Sequence, residues 1–427
     1  MNRKLASAGA ILACAAVAAG CGSSGGGSTG GTTVAGVGSN AKTVTPGMAN
    51  NAKGNVTWCI GKDTTGAFAQ VVKLYNAQGK AHVKLLELPT SADQQRSQLE
   101  QRQQAKSSEC DVLGMDVIWT AEFAAQGWLR DVTPAIQARA NEFIPSTVNT
   151  AKINGKDWAI PFNTNAGFLY YNTSKVHQAP TTWQQAFQEA KSSGGLGIQG
   201  ARYEGLTVNF LEMLYSNGGS VLSSDGKKAT IDSPQAQQVL TFLQQGVKNG
   251  AVPKSASTWM EEESRNAFQS GKVALLRNWP YVYALAKQAG TKFNLEPLPK
   301  WQGGSSASVL GGYNLGISTY SKNPGGALSF INYATGPAAQ KKFFIKSSLP
   351  AVLTQTYSDA AVKKAQPFAP QLLTAVQQGK PRPVSPVYTQ ISEAIYKNVY
   401  SALWNGESPQ TALKNAQSQI TKALQTF

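Results

Sequence analysis

The chain has 427 residues, 41% of them hydrophobic, nine tryptophans and a formal charge of +16 at pH 7. That stock of apolar side chains is ample for a core, in a chain longer than the size at which one core usually splits into two. The basic excess invites a nucleic-acid reading, but the lysines are scattered singly and no arginine-rich stripe occurs, so an anionic cell envelope is the simpler counterpart.

Arg3 and Lys4 give a positive start, and the small apolar run from Leu5 to Gly20 is too short to span a bilayer. Residues 1–20 therefore read as a signal peptide, which also removes the chain from cytosolic nucleic acid. Cys21 directly follows Ala18-Ala19-Gly20 and resembles the lipidated cysteine of a bacterial lipobox; ordinary cleavage with release of the head is the alternative. Residues 21–52 are rich in Gly, Ser and Thr, lack aromatic side chains and are expected to form a flexible tether. Within them Gly26-Gly27-Ser28-Thr29-Gly30 matches the nucleophile pattern G-x-S-x-G, but no strand precedes it and no helix follows, so it is discarded.

From residue 53 onward, strand-like and helix-like runs alternate, which predicts an α/β fold. Strands are expected at Val56–Ile60, Val83–Leu88 and Asp111–Trp119. Helices are expected at Ala67–Asn76, Ala92–Lys106 and Thr120–Gln126, the last stopped by Gly127. Of the four cysteines, Cys14 leaves with the signal, and Cys59 and Cys110 remain as an even pair in an oxidising compartment. A disulfide is expected, with two buried thiols as the alternative. Further on, Ser233-Pro234 and Ser408-Pro409 mark helix starts. The row Val387, Ile391, Ile395, Val399 and Leu403 is a helical stripe expected to face the core, and Trp119 and Trp128 are expected to pack.

Catalysis finds little support. The two histidines, His82 and His177, lie in no metal-binding pattern, no phosphate loop occurs, and neither a cofactor nor a metal is expected. Asp116 and Glu261 form a conceivable glycosidase pair, which keeps a secreted hydrolase open as the lesser alternative.

Six segments occur in order: Asp111–Ala124, Pro161–Tyr171, Arg202–Leu206 with Asn217-Gly218-Gly219, Ala267–Tyr281, Leu310–Leu315 and Pro381–Pro386. Together they resemble the extracellular solute-binding proteins of carbohydrate ABC importers, most closely the trehalose/maltose-binding branch. The resemblance implies a periplasmic-binding-protein fold of two α/β lobes with a ligand cleft between them. The lobes are expected at 53–163 plus 309–355 and at 164–308 plus 356–427, with hinge crossings near Asn163–Leu169 and Val309–Gly316 and a third after the helices that follow Tyr333. It also implies a monomeric, non-enzymatic receptor that is anchored to the membrane through Cys21 and hands a disaccharide such as trehalose or maltose to permease subunits. Another polar solute, a polyol or a longer oligosaccharide, is the alternative.

A sugar presents hydroxyls and apolar C–H faces, so its site needs acids, amides, an arginine fork and aromatic rings. The matching positions are Asp116, Glu261, Asn163 and Asn165 for hydroxyls, Trp279 and Tyr313 for ring faces, and Arg382 as the fork. Gly311 and Gly312 would allow backbone approach, and Asp63, Thr64 and Asp93 are further candidates.

Overall fold

A computed structural model describes Val37 and residues 41–426; the expected signal peptide, Cys21 and the greater part of the tether lie outside the described residues. β1 (Asn55–Gly61), α1 (Ala67–Asn76), β2 (His82–Leu88), α2 (Ala92–Gln104) and β3 (Val112–Asp116) follow one another as β-α-β-α-β. β1 lies between β2 and β3 and runs parallel to both, with Trp58 opposite Val112 and Cys59 opposite Leu113. This adjacency places Cys59 and Cys110 in a disulfide with Cα atoms 5.7 Å apart. α1 earns its place through one face: Phe68, Val71, Val72 and Tyr75 are buried, and the Phe68 ring packs 5.3 Å from that of Trp58.

The third strand is shorter than expected. The Asp116 carboxylate accepts the Ile118 N–H and turns Val117–Trp119 into a 3₁₀ turn, after which α3 (Thr120–Ala125) begins. Gly127, at φ +70°, ends that stretch, and Trp119 and Trp128 are buried as expected. Next come α4 (Thr133–Gln137), α5 (Pro145–Asn149), the small hairpin of β4 (Lys152–Ile153) and β5 (Lys156–Asp157), and β6 (Ile160–Asn165).

β7 (Phe168–Asn172) opens a second sheet. In chain order it is followed by α6 (Trp183–Ser193), β8 (Leu196–Gly197), α7 (Glu204–Ser216), α8 (Pro234–Lys248), α9 (Glu261–Gln269), β9 (Leu275–Asn278), α10 (Tyr281–Gln288) and β10 (Phe293–Pro297). The strand order here is β10-β7-β9-β8. β11 (Gly311–Ile317) returns to the first sheet, whose order is β2-β1-β3-β11-β6, and runs antiparallel to both β3 and β6. The chain thus leaves the first sheet after Asn165, two residues beyond the expected boundary at 163.

Helices α11 (Pro324–Ala334), α12 (Pro337–Ser347), α13 (Ala360–Ala365) and α14 (Ala369–Gln378) come next. The expected boundary at 355 falls inside continuous packing: α13 lies on α12, and Tyr357 meets Phe344 ring to ring at 5.3 Å. The chain passes Val309 once more at Lys380, whose carbonyl accepts the Leu310 N–H. α15 (Tyr388–Trp404) and α16 (Pro409–Leu424) then pack on each other and on α8. The expected stripe of α15 is buried, and Ser233 and Ser408 cap α8 and α16 by accepting the Ala236 and Thr411 N–H groups.

The ordered head begins earlier than residue 53. Val44 is fully buried and donates its N–H to the Asp131 carbonyl, and Pro46–Ala49 forms a 3₁₀ turn against α11. One apolar side chain in a pocket and one proline that fixes φ order a stretch whose composition alone reads as tether. Among the described residues no helix is long and apolar enough to cross a membrane.

Candidate functional site

A cleft with an empty volume of ≈ 1130 Å³, open mouth included, is walled by elements of both sheets. Ten of the twelve expected site residues line it: Asp63, Thr64, Asp116, Asn165, Glu261, Trp279, Gly311, Gly312, Tyr313 and Arg382. Asp93 and Asn163 do not.

Asn163 is buried in β6, where pairing with β11 slips between Tyr313 and Asn314. Its side-chain carbonyl accepts the Tyr313 N–H at 3.2 Å, so it repairs the irregular ladder instead of facing the cleft. Asp93, in the first turn of α2, accepts hydrogen bonds from the Tyr396 side chain and the Glu204 backbone; burial raises its pKa. It holds α2 to α15 and to the start of α7.

On the first-sheet side, Asp63 serves the turn before α1. One carboxylate oxygen accepts from the backbone and hydroxyl of Thr65, the other from the Phe68 N–H at 2.9 Å. Asp116 and Tyr313 stand opposite each other on β3 and β11. Gly312 between Gly311 and Tyr313 adopts φ +116°, and a Cβ there would sit 2.2 Å from the Asn163 carbonyl oxygen, so only glycine fits. The Tyr313 hydroxyl donates to Gln95 Oε1 at 3.0 Å, and burial raises its pKa.

On the second-sheet side, Glu261 begins α9, where it accepts from the Tyr203 hydroxyl at 2.7 Å and from the Trp279 side chain; burial raises its pKa. The neighbouring Glu262 accepts from Tyr281 and pairs with Arg265, while Glu263 accepts the Met260 N–H. Trp279 is half-buried, with the Arg277 guanidinium carbon 4.1 Å from its ring centroid.

Arg382 joins the two sides. It is 4% exposed, donating one N–H to Asp116 at 2.7 Å, another to Glu204 at 2.8 Å, and a weaker bond to the Leu310 carbonyl. Burial opposes its charge, but Asp116 and Glu204 hold its pKa above the ordinary value. Its Nε and Asn165 Oδ1 are buried without a hydrogen-bond partner among the described residues.

Glu204 is the residue that sequence reasoning passed over. It heads α7, where an acid suits the helix N-terminus and draws no notice. The fold buries it among Arg382, Tyr388 and Ser392, which all donate to it, and burial pushes its pKa up to about 7. Gln95 and Tyr203 line the cleft as well. Chemically, the cleft offers carboxylates, an amide, a guanidinium and an indole around one open volume, an inventory suited to holding hydroxyls and apolar C–H faces. Among the described residues no cluster of His, Cys, Asp and Glu could hold a metal.

A profile of the bacterial extracellular solute-binding proteins matches residues 61–341. A probable ABC transporter-binding protein of Deinococcus radiodurans is 34% identical over 364 residues, covering 80% of this chain and 86% of that protein. The solved structure of maltose-bound MalE3 of T. maritima is 32% identical, with a TM-score of 0.82 over 86% of this chain and 99% of that one. An ABC transporter solute-binding protein of Thermotoga lettingae, solved with α-D-tagatose, shares the fold at a TM-score of 0.80 and 24% identity, over 87% of this chain and 100% of that one.

Proposed function

This chain belongs to the bacterial extracellular solute-binding proteins, and from that premise we propose that its cleft captures a disaccharide such as trehalose or maltose for an ABC importer. The family works outside the cytoplasm and binds its solutes without transforming them, so Asp116 and Glu261 act as hydroxyl acceptors and not as a hydrolytic pair. The observation that carries the reading is the convergence on one cleft of Trp279, Asp116, Glu204, Glu261, Asn165 and Arg382. The indole suits a pyranose C–H face. The acids accept hydroxyl hydrogens, and the Arg382 guanidinium and the Asn165 amide line the same cleft. Maltose in the T. maritima relative supports the same solute class here.

Thermal melting of residues 41–427 against trehalose, maltose, sucrose, glucose, maltodextrins and polyols tests this. A solute at a hundred times its Kd adds about 2.7 kcal/mol, a shift of several degrees. A shift with a disaccharide names the cargo, a shift with a polyol or dextrin alone transfers the cleft to that class, and no shift with any of them removes the carbohydrate reading.

The anchor belongs to the same proposal. Lipidated at Cys21, the head stays on the membrane as a monomer and meets its permease there. Cys21→Ala should release it to the medium, and retention on the membrane would overturn the anchor.

A further inference from the structure

Trp279 is gripped on several sides. Its N–H donates to Asn278 Oδ1 at 2.7 Å, its carbonyl accepts the Tyr170 hydroxyl at 3.0 Å, and its side chain donates to Glu261. The end of the ring lies over Gly311, where a Cβ would come within 3.2 Å. The stacked guanidinium of Arg277 is itself buried, at 1% exposure. Its Nε and Nη2 donate to the two oxygens of Glu212 at 2.6 and 2.5 Å, and its Nη1 donates to Gln199 at 3.0 Å. Gln199 is tied in turn to Ser264 and to the Arg277 carbonyl.

A buried pair of this kind contributes little stability over an apolar pair of the same shape, so its presence calls for another reason. What the pair touches supplies one. Glu212 Oε1 accepts the Val309 N–H at 3.4 Å, and Ser308 also bonds to this carboxylate. The Ser308 hydroxyl accepts the Gly167 N–H at 2.6 Å. A Cβ at Gly167 would lie 2.6 Å from Glu212 and 2.8 Å from Arg277. Gly167 is where the chain leaves the first sheet, and Ser308-Val309 is where it returns.

The geometry points to Arg277 and Glu212 as positioning residues that lock the Trp279 indole in one orientation and join it to both crossings. Platform and crossings then move as one piece, and neither residue touches the solute. The inference rests on reading this cleft as the solute site.

The test begins without any solute. With 5-fluorotryptophan incorporated, the Trp279 resonance is identified by its loss in Trp279→Phe. In the double variant Arg277→Met/Glu212→Leu, which removes both charges together, that resonance should shift and broaden while the other tryptophans stay in place. An unchanged Trp279 resonance overturns the inference. Maltose titration follows. The double variant should bind at least tenfold more weakly, with no further loss when added to Trp279→Ala; additive losses would reduce the pair to a structural role. If the wild type does not bind maltose, the sugar reading fails while the fluorine spectrum still judges the pair. Should the double variant not fold, Arg277→Lys, which keeps the charge and loses the planar fork, takes its place with the same outcomes.

Discussion

Arg277 places two of its donors on one carboxylate and a third on Gln199, whereas Arg382 divides its donors between Asp116 and Glu204 and leaves Nε without a partner among the described residues. Both are buried, and both stand beside the same cleft. The first network is fully buried and holds one wall of the cleft in place. The second spans a strand of the first sheet and the helix α7, and its Nε is unbonded among the described residues, which suits a group that exchanges partners. Burial of a charge alone does not reveal its role. The way its donors are shared among partners does.

The largest effect expected from this contrast is in stability. Glu212→Ala leaves the Arg277 charge buried and unpaired, and should cost about 3–5 kcal/mol in urea unfolding. Arg382→Ala should cost clearly less, since the acids it leaves behind include Glu204, which can take up a proton. Equal losses would erase the distinction. Next in size is binding: Arg382→Ala should weaken the captured solute at least tenfold, about 1.4 kcal/mol, with the fold intact, and unchanged affinity would remove Arg382 from the site.

A third effect is in the pH profile. Burial raises Glu204 from 4.5 in the unfolded chain to about 7 in the folded one. Its contribution to stability is therefore fully present below about 4.5 and is lost as the pH rises through about 7. The stability of the wild type relative to Glu204→Gln should fall across that window, and a flat difference would mean that Arg382 already keeps Glu204 ionised.

Local chemistry made much of the fold legible. The opening β-α-β-α-β, the Ser-Pro helix starts and the buried row of α15 depend on neighbours three or four residues away, and a single chain displays those. The cleft was legible where the family resemblance supplied positions, as with Trp279 and Arg382, which both line it. It was not legible where one residue answers to a distant one. Asn163 and Asn165 differ by two positions and should share a strand face, but the slip opposite Tyr313 draws Asn163 into the ladder. Asp93 finds Tyr396 some three hundred positions later. Glu204 resembles an ordinary first-turn acid until Arg382, Tyr388 and Ser392 close around it.

The stitching of the N-terminal strap has a mechanical consequence. Val44 hydrogen-bonds to Asp131, the Asp131 N–H returns to the Lys42 carbonyl, and the Met48 carbonyl lies against Gly325. Any tension arriving through the residues before 41 is therefore borne by the side of the head that carries the first sheet.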